Sequence, residues 1–161
     1  MTFGGKAEMG IRGVSFRVPQ GRNDLLQEIL DGIDVQALCW YNVESQNETW
    51  SIPEENAAFF RKERYDGAEF SRVIHQPHFV LFLKLEAYPP GENCPDMHTY
   101  EEFLKSSCLL LMLIYDCEYV EIFSKDAVIT KTLFDNAGRK GFSEIVLITD
   151  ENDGRTRMDI M

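Results

Sequence analysis

Cys108–Asp116, Cys-Leu-Leu-Leu-Met-Leu-Ile-Tyr-Asp, is an almost unbroken apolar run closed by an acidic turn. Such a run is too short to cross a bilayer, which takes about 20 apolar positions. Apolar on both faces, it is what an inner strand presents when both sides of its sheet are covered. It predicts a sheet-centred globular domain and carries no chemistry of its own.

The rest of the chain supplies partners for that strand. Gly10–Val18 reads as a first strand ended by Pro19, and Asn23–Ile33 as a helix with Leu25, Leu26, Ile29, Leu30 and Ile33 at helical spacing. Leu38–Glu44 and Glu48–Ile52 read as a hairpin turning at Ser45-Gln46-Asn47, followed by one helical turn opened by Pro53 through Phe60. Asp66 is placed to cap a helix Gly67–Gln76 that Pro77 stops. His78–Tyr88 is a long strand with Phe79, Leu81, Leu83 and Leu85 on one face, while Lys84 and Glu86 mark where the other face leaves the core. A loop rich in proline, 89–95, comes next. Thr99-Tyr100-Glu101-Glu102 matches a capping box, and Asp126 is placed to cap a helix Ala127–Asn136. Tyr119–Ser124 and Ser143–Thr149 read as strands, and the alternation in Arg155–Met161 suggests an edge strand. Together these predict a single α+β domain over residues 9–161: a mixed β-sheet of six to eight strands with about four short helices packed on it. Residues 1–8 read either as a disordered leader or as a mis-assigned start, Gly4-Gly5 resembling a translated ribosome-binding site ahead of Met9.

Net charge is −11, from 27 acidic and 16 basic side chains. Binding to nucleic acid or to an anionic membrane depends on Lys and Arg displacing counterions, so this balance argues against both. It is compatible with simple solubility or with a face that attracts a basic protein partner. Four cysteines at irregular spacing, with no CxxC pair and no secretory signal pattern, point to reduced thiols and a cytoplasmic setting.

The templates for catalysis fail in turn. Cys94 and His98 form one Cys-x3-His pair with no second pair to complete a zinc site. There is no G-x-S-x-G elbow, no phosphate-binding glycine loop, and no cofactor motif. Placing Gly154 sixth in a calcium loop puts Thr149 first and Ile160 twelfth, where acidic ligands are needed. The remaining enzyme candidate is a pair of strand-end carboxylates, Glu86 and Asp116, which would meet if their strands were neighbours and ran to one edge. Trp40, Tyr41 and Trp50 are the candidates for partner binding. Trp40 and Tyr41 are adjacent on a strand and face opposite ways, so one of them can stand exposed as an interface anchor.

Three segments resemble a small family of bacterial proteins, mostly from spore-forming Firmicutes, known as a domain of unknown function: Met9–Phe16, Thr99–Leu104 running into the Cys108–Asp116 strand, and Lys140-Gly141-Phe142 with Ile148–Asp153. The resemblance runs from Met9 onward and implies no catalytic residue. The functional expectation is a non-catalytic cytoplasmic protein-binding module, in its specific form an acidic immunity-type inhibitor of a basic toxin. The alternative is a small hydrolytic or small-molecule-binding enzyme using Glu86 and Asp116.

Overall fold

The computed structural model describes residues 10–53 and 57–160. The expectation for residues 1–8, and the choice between Met1 and Met9 as the start, lie outside them.

Seven strands form one sheet in the order β3-β2-β4-β5-β6-β1-β7. They are β1 (Ile11–Arg17), β2 (Cys39–Ser51), β3 (Arg64–Tyr65), β4 (His78–Tyr88), β5 (Leu110–Tyr115), β6 (Tyr119–Ser124) and β7 (Ser143–Thr149). Four helices join them: α1 (Leu25–Ile29), α2 (Gly67–Ile74), α3 (Tyr100–Lys105) and α4 (Ala127–Arg139). The fold is α+β.

The sheet is antiparallel throughout, where a mixed one was expected. The strand–helix–strand units are present, but each crossover skips one strand. β3 reaches β4 through α2 with β2 lying between them, and β6 reaches β7 through α4 with β1 between them. The strands joined in this way are parallel to each other, and the interposed strand makes every hydrogen-bonded pair antiparallel.

The leucine-dense run is β5, the fourth strand of seven, with Leu110 to Ile114 fully buried. Leu110, Met112 and Ile114 join the larger cluster, with Leu26 and Ile29 of α1, Phe70 and Ile74 of α2, and Leu133 and Ala137 of α4. Leu111 and Leu113 turn to the opposite face and join a smaller cluster with Phe103 of α3, Met97, Tyr88 and Met158. We call these the helical face and the strapped face.

Local signals set most element ends. Asp66 accepts from Glu69 N–H at the start of α2, Asp126 from Val128 and Ile129 N–H at the start of α4, and Thr99 and Glu102 form the complete capping box of α3. Gly13 sits where β1 crosses β6 so closely that a Cβ would lie 1.8 Å from the Ile122 carbonyl oxygen. The turn between β5 and β6 holds Asp116 and Cys117 at φ of 50° and 53°, as a tight hairpin demands.

Two expected elements are different. The hairpin at Ser45-Gln46-Asn47 is absent: β2 is one strand, and its register against β4 jumps from Asn42↔Leu85 to Asn47↔Leu83. Residues 43–46 therefore bulge opposite the single residue Lys84. A second shift, at Glu48/Thr49, puts Val80 on the helical face with Leu83 and Leu85, not opposite to them. The predicted edge strand at the carboxy terminus is also absent. Residues 155–160 instead form a strap across the sheet, tied by Tyr100 N–H to Thr156 O and Met158 N–H to His98 O. The helix expected over 23–33 is confined to α1; of the helical turn expected from Pro53 through Phe60, residues 54–56 lie outside the described residues and 57–60 are not helical, with Ala58 bridging Trp50.

Beyond β7, the Asp150–Gly154 turn folds back so that Asn152 donates to Leu147 O at 2.8 Å and accepts from Thr149 N–H at 2.8 Å. Asp150 N–H bonds Gly10 O on the β1 side, so by alternation these two groups lie on the free side of the strand.

Candidate functional site

The buried Lys84–Asp159 ion pair and the buried Glu86 carboxyl lie on the strapped face. Lys84, Glu86 and Tyr88 alternate along β4, each at most 1% exposed. Lys84 occupies the room that the β2 bulge opens. Its ammonium donates to Met97 O in the loop above it and to Asp159 Oδ1 of the strap at 2.9 Å.

Asp159 collects the donors around it. Gln46 Nε2 reaches it from the bulge at 2.8 Å, Arg157 at 3.0 Å, and His98 Nδ1 lies 3.1 Å from both oxygens. Burial alone would raise this carboxyl's pKa, but the bonds from Gln46, Lys84 and His98 outweigh it and hold the group well below the usual carboxylate range. His98 moves the other way. Hydrogen bonds to Asp159 and then to Asp96, the latter at 3.1 Å from Nε2, raise its pKa and favour the imidazolium.

Glu86 sits deeper on the same strand, next to Tyr41 of β2 and Leu111 of β5 in register. Burial pushes its pKa up to about 7, against the opposing pull of the Tyr88 hydroxyl, which donates to it at 2.6 Å. Tyr88 is itself raised, first by burial. Cys108, behind them, is pushed up to about 12 by burial and is held as a thiol, the reverse of a nucleophile.

Two depressions in the surface bear on function. On the strapped face, a cleft of about 610 Å³ has Phe82, Tyr115 and Ile160 as its apolar lining and Ser45, Gln46, His98, Asp116, Arg157 and Asp159 around them. On the helical face, a groove of about 460 Å³ lies between α1, the short 3-10 helix Val35–Ala37 and α2. Asp24, Glu28, Asp31 and Asp34 line it, with Lys140 and His75 as the basic side chains there. Lys140 pairs with Asp31 at 2.9 Å. Glu28 pairs with Arg22 through one oxygen, while Oε2 is buried with no hydrogen-bond partner among the described residues.

The residues singled out from sequence do not converge. β4 and β5 are neighbours, but Glu86 pairs with Leu111 at the start of β5 while Asp116 follows its end. Five strand positions separate them, about 16 Å at the usual rise, so the two carboxylates do not share a pocket. Trp40 is 1% exposed and stacks on Phe70 with ring centroids 4.5 Å apart, its indole N–H bonded to Val35 O. Tyr41 is half-buried on the opposite face and bonds Glu63. Trp50 packs against Phe79. The three aromatics belong to different surroundings and form no common surface. Among the described residues, no group of three or more His, Cys, Asp or Glu is placed to hold a metal ion.

Sequence reasoning missed Lys84, His98 and Asp159 as a unit, as well as the acidic groove. The one available signal was a lysine in the middle of an otherwise apolar strand, which in a buried position demands an acidic partner.

The comparisons with known proteins agree with one another. A model of the family described as "Protein of unknown function (DUF2691)" matches residues 11–159. The chain is 32% identical over 154 residues to the uncharacterised protein YncE of Bacillus subtilis (strain 168), an alignment covering 92% of this chain and 99% of that protein. No solved structure matches. With a match across nearly its whole length and a Bacillus relative aligned end to end, the chain belongs to the DUF2691 family.

Proposed function

We propose that the protein is a non-catalytic, cytoplasmic module that binds a basic segment of another protein in the acidic groove between α1 and α2. In its specific form it is an immunity-type inhibitor that covers a cationic surface of a toxin. What supports this is the groove itself. Four carboxylates stand against Lys140 and His75, and one buried carboxylate oxygen, Glu28 Oε2, has no donor. An incoming lysine or arginine would supply that donor. The excess of 11 negative charges over the whole chain speeds encounter with a cationic partner, with screening setting in beyond about 8–10 Å at physiological salt. Free thiols at all four cysteines fit a reducing compartment. No helix among the described residues is long and apolar enough to cross a membrane.

The immobilised protein should retain a basic protein from extracts of its own host at low salt and release it as salt rises. The double variant D31N/D34N, which neutralises two exposed groove carboxylates, should lose most of that retention. Retention that is absent, indifferent to salt or unchanged in the variant would refute the proposal.

A further inference from the structure

Two aromatic rings in the cleft on the strapped face stand next to a charge that the fold leaves unanswered. Phe82 of β4 and Tyr115 of β5 lie one step beyond the Leu83↔Ile114 pair, so by alternation they are neighbours on this face, and both line the cleft. Both are half-buried, and Arg155 fixes the second ring by donating to the Tyr115 hydroxyl at 3.2 Å. Asp116, which lines the cleft from the β5–β6 turn, is exposed, and its carboxylate makes no hydrogen bond or ion pair among the described residues. Glu48, opposite Phe82 on β2, carries a second carboxylate with neither.

The other charges around the cleft answer one another. Lys84, His98 and Arg157 stand against Asp159, Asp96 and Glu102 at the strap. Arg155 is paired with Glu121 through two nitrogens, and Arg17 is shared by Glu118 and Glu144. What is left over is negative and sits beside Phe82 and Tyr115. Tyr119, opposite Tyr115 on β6, already carries the Arg17 guanidinium 5.1 Å from its ring centre. The sheet itself thus holds a cation on the next ring of this row.

We propose that this cleft binds a small quaternary ammonium compound, its methylated nitrogen on the rings of Phe82 and Tyr115 beside the Asp116 carboxylate. Aromatic rings attract a cation electrostatically, and a carboxylate at the same spot adds to the attraction where water is partly excluded. The methyl groups decide which cation fits. A primary ammonium brings three N–H donors and a strongly held water shell, and this floor of two rings and Ile160 offers it one carboxylate. A methylated ammonium has no N–H to satisfy and turns an apolar surface to the rings. A neutral molecule of the same shape would leave Asp116 unanswered. The volume of about 610 Å³ holds such a head group and leaves room for its substituent along the strap. The site lies on the opposite face of the sheet from the acidic groove and stands or falls independently of it.

Choline, its uncharged isostere 3,3-dimethyl-1-butanol and ethanolamine separate these contributions in a chemical-shift titration of the isotope-labelled full chain at constant ionic strength. Choline should saturate at millimolar concentration, with the shifts concentrated at residues 81–83, 115–117 and 160. The alcohol, which lacks the charge, and ethanolamine, which lacks the methyl groups, should each bind at least about tenfold more weakly. D116N should weaken choline about fivefold. It should leave thermal unfolding of the unliganded protein within a degree or two, because asparagine accepts the φ of 50° at this turn as readily as aspartate does. F82L, which removes one ring, should weaken choline about tenfold. No saturable shift, shifts confined to other parts of the molecule, equal binding of the alcohol or of ethanolamine, or wild-type affinity in D116N would overturn the proposal.

Discussion

The two faces of the sheet are held by different physics. The helical face is closed by α1, α2 and α4 chiefly through apolar packing, as in the stack of Trp40 on Phe70 and the contact of Phe16 with Phe142, with a few neutral bonds such as Asn136 of α4 donating to Glu28 O and Ile29 O. The strapped face has one short helix, a loop and an irregular chain end, and it is fastened by a few buried polar bonds centred on Lys84 and Asp159. Covering a sheet with irregular backbone leaves gaps, and a handful of directional contacts must do what interdigitated side chains do elsewhere. The same gaps make the cleft.

The contrast is sharpest if one fastening is removed from each face. Phe70→Ala on the helical face should cost about 3–5 kcal/mol through the cavity it leaves. Lys84→Ala should cost about 3 kcal/mol by leaving the buried Met97 carbonyl without its donor and the Asp159 carboxylate with only Gln46, His98 and Arg157 to answer it. The double change Lys84→Met with Asp159→Leu should recover part of the second loss, because it removes both buried charges while leaving the neutral Met97 carbonyl and Gln46 amide without their partners, whereas no single partner change rescues Phe70→Ala. Urea denaturation of the set distinguishes these outcomes, and a K84M/D159L protein as unstable as K84A would show that the strap depends on the charges themselves.

Glu86 should give the next largest effect, and only above mild acidity. Its ordinary value of 4.5 is raised to about 7 by burial, so between those values the folded state keeps a proton that the unfolded chain has released. Stability from this group is complete below about pH 4.5, falls as pH rises to about 7, and is level beyond, a total of about 3 kcal/mol. Glu86→Gln should therefore stabilise the protein at pH 8 and do nothing at pH 4. Equal effects at both pH values would place the carboxyl in contact with water.

Thr99→Ala should be the smallest, about 1 kcal/mol, from loss of the capping box that starts α3. Because α3 is the strapped face's one helix, this variant should also loosen amide protection in residues 155–160 more than in α4. Uniform loosening by hydrogen exchange would mean that the two faces unfold as one.

The helices and strands that were legible from sequence carry their own local signals. Asp66, Asp126 and Thr99-Glu102 are caps that act over three residues, and the apolar density of β5 reports its central position wherever its neighbours lie. What was not legible depends on distant partners. Ser45-Gln46-Asn47 has the composition of a turn, yet it is a bulge, because Lys84 beneath it and the strap beyond it use the room and the Gln46 amide. The alternation of Arg155–Met161 looks like an edge strand, but Met158 is buried in the second cluster and Asp159 answers a lysine 75 positions away. Glu86 and Asp116 were expected to meet if their strands were neighbours, and the strands are neighbours. Only the antiparallel sense of the pairing, which no local pattern states, sends them to opposite ends.

One small feature bears on how this protein behaves in a crowded cell. A sheet ends where its last row of main-chain donors and acceptors finds no further strand, and such a row invites any passing chain to polymerise onto it. At β3 the invitation is only two residues long. At β7 the Asn152 carboxamide imitates a visiting backbone, answering one carbonyl and one amide at once. An incoming strand would have to evict that side chain to bond Leu147 O and Thr149 N–H, so a single amide shortens the row on which another chain could grow.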